Sequence, residues 1–133
     1  MNTSTQPWLS HYPEGIDWNA AIERRPLYET LEHTAQRWAD KIAIDFLDYC
    51  LTYGELLAQV NQVAKGLQAM GVTKGARVGL CLPNTPYSVI CYYGALRAGA
   101  TVVNYNPLYV ERELAFQIDD SATEIMITMD LEV

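Results

Sequence analysis

Apolar residues recur along this chain with two spacings, which alternate from one segment to the next. A spacing of three to four residues is typical of a helix, and alternation is typical of a strand. The helical spacing predicts helices near 27–38, 53–70, 86–98 and 111–119. Alternating or short β-branched stretches predict strands near 42–46, 50–52, 78–82, 101–103 and 124–128. Strands and helices in this order predict an α/β fold with a mainly parallel sheet and right-handed crossovers.

Cap and turn residues indicate where several of these elements begin and end. Thr52 followed by Glu55 is the capping-box pattern, in which each side chain bonds the other residue's backbone N–H. Thr85 followed by Pro86 predicts a side-chain cap and then a proline in the first helical position. Gly71 predicts the left-handed turn that ends the helix begun at Thr52.

The first 26 residues contain several prolines and no sustained period, which predicts an irregular arm over 1–26 and a partial α/β domain over 27–133. Pro26 is expected in the first turn of the first helix. The dipeptide Asp48–Tyr49 is expected to form a tight turn between the first two strands. Three aromatic side chains offer a way to hold the arm on a surface: Trp8, Tyr12 and Trp18.

The formal net charge of −7 argues against a nucleic-acid partner, because phosphates require a basic face. Between Leu56 and Val110 there is no Asp or Glu, and the cations there are Lys65, Lys74, Arg77 and Arg97. One interpretation is a buried middle followed by an acidic, solvated helix. The other is a mildly positive region that faces an anionic ligand such as a phosphate-bearing cofactor.

No apolar run approaches the roughly 18 residues that a membrane-spanning helix requires, so we expect no transmembrane segment. Met1–Ser10 has neither a basic start nor an apolar stretch, so we expect no secretory signal and a cytoplasmic location.

The residues that commonly bind metals do not form a recognisable motif. Three cysteines at irregular spacing argue against both a metal motif and a disulfide framework, and we expect buried thiols. They are Cys50, Cys81 and Cys91. His11 and His33 stand apart from each other and from the cysteines, so no metal site is predicted.

The spacing from Gly94 to Gly99 superficially matches a phosphate-binding loop. It lies within and at the end of a predicted helix, and Ala100–Thr101 stands where the motif requires Lys followed by Ser or Thr. Gly94 is therefore expected to permit close helix packing, and Gly99 is expected to end the helix. No G-x-G-x-x-G follows a predicted strand, so no dinucleotide site is predicted.

No residue is predicted to be catalytic. Ser88 has no partner that would complete a triad, and Asp119–Asp120 at a helix end is expected to be solvated. The tyrosine pairs Tyr92–Tyr93 and Tyr105–Tyr109 fit either a ligand surface or the core. Ligands of parallel sheets approach the carboxyl ends of the strands. Here these ends are the loops Leu82–Thr85, Asn104–Tyr109 and Thr128–Leu131.

Four segments in register resemble the N-terminal region of the adenylate-forming, AMP-binding enzymes. They are LTYGEL at 51–56, GVTKGARVGLCLPN at 71–84, GALRAGATVVNYNP at 94–107, and REL with DS at 112–114 and 120–121. The arm PWLSHYPEGI at 7–16, taken with NPLY at 106–109, is most similar to bacterial long-chain fatty-acid–CoA ligases. The resemblance implies a three-layer α/β fold that forms the N-terminal part of the family's large domain.

The same resemblance implies an activity for the full-length enzyme. Such enzymes use ATP and Mg²⁺ to convert a fatty acid into an acyl-adenylate, and then transfer the acyl group to the thiol of coenzyme A. The family's phosphate loop, nucleotide-binding acids and catalytic lysine all follow the matched region, so none is assigned here and the chain is expected to be inactive alone. A location at the periphery of the inner membrane is a further implication for the full-length enzyme.

By similarity, Asn106, Pro107 and Leu108 line the approach of coenzyme A. Val110 stands where the family often has Thr, so we expect a missing N-cap worth about 1 kcal/mol. Ala122 stands where Gly commonly follows DS, which argues against a left-handed turn there.

Two alternatives stay open. In the first, the substrate is a medium-chain or aryl acid, which this segment does not exclude because the acid pocket forms largely outside it. Otherwise the chain is a non-catalytic module that associates with itself, because an exposed sheet edge and apolar face promote association. On either reading we expect a homo-oligomer.

Overall fold

The structure is a computed structural model that describes residues 7–129. Within that range a 3-10 helix at Pro7–His11 precedes four α-helices and five strands. The helices are α1 (Leu27–Trp38), α2 (Tyr53–Ala69), α3 (Pro86–Ala98) and α4 (Glu111–Ser121). The strands are β1 (Ile42–Phe46), β2 (Tyr49–Thr52), β3 (Arg77–Cys81), β4 (Thr101–Asn104) and β5 (Ile125–Thr128). The predicted order of helices and strands is confirmed.

Three strands form a parallel sheet in the order β4-β3-β5, with β3 in the centre. Val78 and Leu80 of β3 face α2 and α3 and belong to the main core with Ala64 and Ala95. The residue between them, Gly79, faces the opposite side, where α4 lies. Because helices cover both faces of the sheet, the predicted three-layer α/β arrangement is confirmed.

The sequence predicts the positions of the first two strands correctly, but the predicted turn at Asp48–Tyr49 is wrong. β1 and β2 form a separate antiparallel hairpin, outside the parallel sheet. The turn residues are Leu47 and Asp48, with φ of 47° and 65°, whereas Tyr49 is already in β2. Two left-handed residues in succession match the twist of a hairpin, even though neither is glycine.

The prediction that Thr101–Val103 forms a buried strand is also wrong in part. Thr101 and Asn104 are exposed, and Val102 and Val103 are half-buried. β4 pairs with a neighbouring strand on one side only within residues 7–129, so part of its surface stays open.

Close packing of α2 against α3 depends on a missing side chain. A Cβ atom placed on Gly94 of α3 would lie 2.5 Å from Val63 Cγ1 and 3.3 Å from the Val60 carbonyl oxygen of α2. Neither distance leaves room for a side chain. The expectation that Gly94 permits close helix packing is confirmed.

The predicted capping box at the start of α2 is confirmed. The Glu55 N–H donates to Thr52 Oγ1 at 3.2 Å, and the Thr52 N–H donates to Glu55 Oε2 at 2.9 Å. At the start of α3 the prediction holds only for the proline. Thr85 precedes Pro86, but its hydroxyl is buried and makes no capping bond. Pro26 is the N-cap residue of α1 and lies one position before its first turn.

The two ends of α4 test both expected departures. The Val110 N–H donates to Glu113 Oε2 at 3.1 Å, but a valine side chain has no atom to cap in return, so the missing N-cap is confirmed. Ala122 adopts φ 49° and ψ 46°, so the argument against a left-handed turn was wrong. Backbone bonds from Ala122 to Asp119 and from Thr123 to Ile118 hold this turn.

The arm is less irregular than predicted, since its described part begins with the 3-10 helix at Pro7–His11. Its aromatic side chains pack on one another. The Trp18 ring centroid lies 5.1 Å from that of Tyr12 and 6.4 Å from that of Trp8. All three stay exposed, so the arm forms its own small cluster. None of the helices described is both long and apolar enough to cross a bilayer.

Candidate functional site

A cleft of about 400 Å³ opens at the carboxyl ends of β3 and β4, beside the N-terminal half of α3. This is the edge at which parallel sheets bind ligands. Its lining residues are Leu80, Leu82, Asn84, Ser88, Val89, Tyr92, Tyr93, Asn104, Tyr105 and Pro107. Two of the three predicted loops, 82–85 and 104–109, therefore contribute to one cleft. The third, Thr128–Leu131, lies partly outside the described residues.

The polar groups of the cleft follow directly from strand ends. Asn104 is the last residue of β4, and Asn84 comes three residues after β3 ends. Ser88 lies in the first turn of α3, where its hydroxyl donates to the Thr85 carbonyl oxygen at 2.6 Å. This bond ties the hydroxyl to the backbone at the start of α3. That Ser88 belongs to no triad stays a prediction.

The loop between β4 and α4 forms one rim of the cleft. The Leu108 N–H donates to Asn106 Oδ1 at 3.0 Å, and the Tyr109 N–H donates to the Asn106 carbonyl oxygen at 3.0 Å. Both bonds close a turn typical of asparagine. Of the three predicted residues, Pro107 lines the cleft, whereas the exposed Asn106 and Leu108 do not. Their role toward coenzyme A stays a prediction.

The aromatic residues divide between the two roles that the sequence left open. Tyr92 and Tyr93 are half-buried, line the cleft, and meet edge to face with centroids 5.7 Å apart. Tyr105 is buried, at 4% exposure, and also contributes to the cleft wall. Tyr109 lies outside the cleft lining. The sequence signal for Leu82, Asn84 and Asn104 was their place at the predicted carboxyl end of a strand, and no comparable signal marks Val89.

No charged side chain lines the cleft among the described residues. Two cations of the acid-poor segment, Lys65 and Arg97, face a separate polar cavity of about 520 Å³ beside α1. There Arg97 forms an ion pair with Glu32 and lies over the ring of Tyr28. These two cations therefore face the helices and not the cleft.

The thiols and histidines lie outside the cleft. Burial raises the pKa of the half-buried Cys91 thiol. Cys50 is exposed, so the expectation that all three thiols are buried was wrong, because this residue lies on an open hairpin. Its pKa is raised by partial desolvation and by Asp45, its partner across the hairpin. His33 is exposed, and its Nδ1 lies 3.3 Å from Arg25 Nη1.

The part of the chain from residue 7 to residue 129 contains no group of three or more His, Cys, Asp or Glu side chains suited to a metal ion. The residues present do not fit a Mg²⁺ site, and we assign no step to such an ion here. With amide, hydroxyl and aromatic groups, the cleft has the means to bind and orient a neutral group. Its described lining contains no Asp, Glu, His, Lys or Arg side chain.

Comparison with known proteins identifies the family to which the chain belongs. A family model described as "AMP-binding enzyme" matches residues 31–133. The chain belongs to the AMP-binding enzyme family. The long-chain-fatty-acid–CoA ligase of Bacillus subtilis (strain 168) is 42% identical over 128 residues, which cover 96% of this chain and 23% of that protein. The enzyme of the same name from Salmonella typhimurium is 38% identical over 122 residues, which cover 90% of this chain and 22% of that protein.

Two solved structures have a similar fold. The inhibitor-bound N-terminal domain of FACL13 from Mycobacterium tuberculosis matches with a TM-score of 0.74 and 28% identity over 79% of this chain and 27% of that one. An artificially fused adenylation–PCP di-domain from Klebsiella oxytoca matches with a TM-score of 0.79 and 24% identity over 83% of this chain and 21% of that one, which shows the fold alone.

This member of the AMP-binding family spans less than a quarter of the length of the two curated relatives. The predicted membership of the adenylate-forming enzymes is confirmed.

Proposed function

We propose that this chain is a segment of a long-chain fatty-acid–CoA ligase. The observation that carries the proposal is the 42% identity over 96% of the chain with a protein of that name. In the complete enzyme, ATP with Mg²⁺ would activate the fatty acid as an acyl-adenylate, and coenzyme A would accept the acyl group. By the same resemblance, the enzyme acts in fatty acid metabolism, in the cytoplasm or at the periphery of the inner membrane.

Within that enzyme, the segment acts as scaffold and cleft wall. Its cleft is neutral, and its one serine is bonded to its own helix end. Acyl-adenylate formation requires stabilisation of the charge that develops on the phosphates. We therefore place that stabilisation in parts of the enzyme outside residues 7–129, and we propose that the isolated segment is inactive.

The rim loop at 106–108 is the part that we place nearest to coenzyme A. Pro107 supports this proposal because it lines the cleft at the carboxyl end of β4. Asn106 contributes by fixing the turn that presents Pro107.

The proposal is tested by expressing the complete reading frame and assaying it with ATP, coenzyme A and a panel of acids. Palmitate, oleate, octanoate and benzoate represent the long-chain, medium-chain and aryl alternatives. Pyrophosphate release and thioester formation are measured for each acid. We expect kcat/KM to be highest for palmitate or oleate. A preference for octanoate or benzoate would replace the long-chain assignment, and no turnover with any acid would reject the ligase.

We also propose that the chain self-associates through the face around α4. A groove of about 670 Å³ is lined by Tyr109, Val110, Arg112, Glu113, Phe116 and Gln117. Phe116 is 73% exposed, although aromatic side chains are usually buried. Arg112 and Glu113 on the same turn present opposite charges, which suits a two-fold interface that pairs one surface with its own copy.

Sedimentation velocity at micromolar concentration tests this association. We expect a dimer or larger species that Phe116→Lys converts to monomer. A wild-type chain that sediments as a monomer would contradict it.

A further inference from the structure

Tyr105 lies where the cleft, the central sheet and α4 meet. It directly follows β4, and its N–H donates to the Leu80 carbonyl oxygen at 2.9 Å, which continues the pairing of β4 with β3. It is buried and contributes to the cleft wall. One residue therefore belongs to the sheet and to the ligand-facing rim at the same time.

The tyrosine ring crosses the central strand over a glycine. A Cβ atom on Gly79 of β3 would lie 2.8 Å from Tyr105 Cε2 and 2.9 Å from Met126 Sδ of β5. Any side chain at this position would displace the ring or the methionine. Because Gly79 has no side chain, the Tyr105 ring reaches from β4 across β3, on the face of the sheet that α4 covers.

There the tyrosine hydroxyl joins a triangle of three hydroxyl groups. It lies 2.6 Å from Thr123 Oγ1 and 2.9 Å from Ser121 Oγ, and those two oxygens are 2.8 Å apart. Each hydroxyl has one proton to donate and lone pairs to accept, so three of them satisfy one another in a ring. Removing one hydroxyl breaks two of the three bonds and leaves the third, among part-buried side chains.

α4 has few other attachments to the sheet. None of its residues, all of them described, is buried. Gln117 Nε2 donates to the Asn104 carbonyl oxygen at 3.0 Å, next to Tyr105 in sequence. The hydrogen bonds between the cleft rim and α4 are thus the hydroxyl triangle, the Gln117 side-chain bond, and a long bond of 3.5 Å that the Tyr105 hydroxyl donates to the Gln117 carbonyl oxygen.

We propose that Tyr105 is a positioning residue whose hydroxyl fixes the rim loop 104–109 and the end of α4 in their places beside the cleft. The structural part of this inference stands on the contacts above, and only its kinetic consequence rests on the proposed function. Tyr105 acts through the loop that it holds and takes no part in bond making.

The structural part is tested by amide hydrogen exchange on this chain. Tyr105→Phe keeps the ring and removes the hydroxyl, and the control Tyr87→Phe removes an exposed hydroxyl of α3 that has no bond in the structure described. We expect Tyr105→Phe to speed exchange about tenfold at 104–109 and 117–123, with the amides of α2 unchanged. Tyr87→Phe should leave all rates unchanged. Equal behaviour of the two variants, or a uniform rise across the chain, would overturn the proposal.

A second pair of variants separates the hydroxyl from the shape of its partner. Thr123→Val removes the hydroxyl at nearly constant volume and should reproduce the pattern of Tyr105→Phe. Thr123→Ser keeps the hydroxyl and should exchange like the wild type. If Thr123→Val exchanges like the wild type, the triangle does not hold the loop.

In the complete enzyme, Tyr105→Phe should raise KM for the acid or for coenzyme A several-fold, with kcat within about twofold of wild type. Thr123→Ser should restore the wild-type KM that Thr123→Val loses. A fall in kcat at unchanged KM would contradict a positioning role. An enzyme without activity toward any acid would reject the proposed function, while the exchange experiment would still decide the inference.

Discussion

At the scale of single residues, Ala122 shows how a backbone conformation persists without the residue best suited to it. It is exposed and left-handed, with φ 49° and ψ 46°, at the end of α4. A side chain makes this conformation unfavourable, and glycine is the usual solution. The conformation is kept because it lets the chain turn from Ser121 to Thr123, both of which contact Tyr105.

We predict that Ala122→Gly stabilises the chain by about 1 kcal/mol, because relief of the left-handed strain exceeds the added entropy of the unfolded glycine. Urea denaturation measures the change. Gly71→Ala is the opposite control. Because Gly71 has φ 95°, this variant should lower the free energy of unfolding by about the same amount. A less stable Ala122→Gly variant would show that the turn carries no strain.

At the scale of elements, local pattern was enough for all four helices, because caps, glycine stops and apolar spacing act within a few residues. Local pattern was not enough to locate the turn between β1 and β2, because Leu47 and Asp48 adopt left-handed conformations that favour Gly or Asn. Nor did it select Pro107 over Asn106 and Leu108, because the side of a turn that faces a cleft depends on the whole loop.

Two glycines inside helices give opposite predictions. Gly94→Ala should destabilise the chain by about 1–3 kcal/mol, because its Cβ would meet Val63 and the Val60 carbonyl oxygen. Gly66→Ala in α2 should stabilise it by about 0.5–1 kcal/mol, because nothing lies within 4 Å of the new Cβ and alanine favours a helix. Urea midpoints of both variants check this pair. Equal effects would refute the close packing of α2 on α3.

The capping box of α2 predicts a pH dependence. Hydrogen bonds from the Thr52 backbone and hydroxyl hold the pKa of Glu55 below its ordinary value of 4.5. A lowered pKa means that the stabilisation is present above the unfolded value and is lost as pH falls through the folded one. We expect Glu55→Gln to lower Tm at pH 7, with the difference from wild type disappearing below the folded pKa. If the Tm difference between Glu55→Gln and the wild type stays constant from pH 7 to acidic pH, the charge of Glu55 does not stabilise the helix.

At the scale of the whole molecule, the chain is a set of layers with a neutral cleft at one end of its sheet. The order of strands and helices predicted a parallel α/β sheet. The resemblance of four segments to the AMP-binding enzymes implied the three layers and the family. It did not predict the contact of Tyr105 with Ser121 and Thr123, because that contact joins separate elements across Gly79. Long-range contacts of this kind depend on the folded sheet.

We propose that these 133 residues provide scaffold for a fatty-acid–CoA ligase and do not perform its reaction. The most direct measurement incubates this chain with ATP, Mg²⁺, oleate and coenzyme A, beside the complete protein at equal molarity. We predict oleoyl-CoA from the complete protein and none above background from the chain alone. Turnover by the chain alone that a substitution within its cleft abolishes would contradict the account.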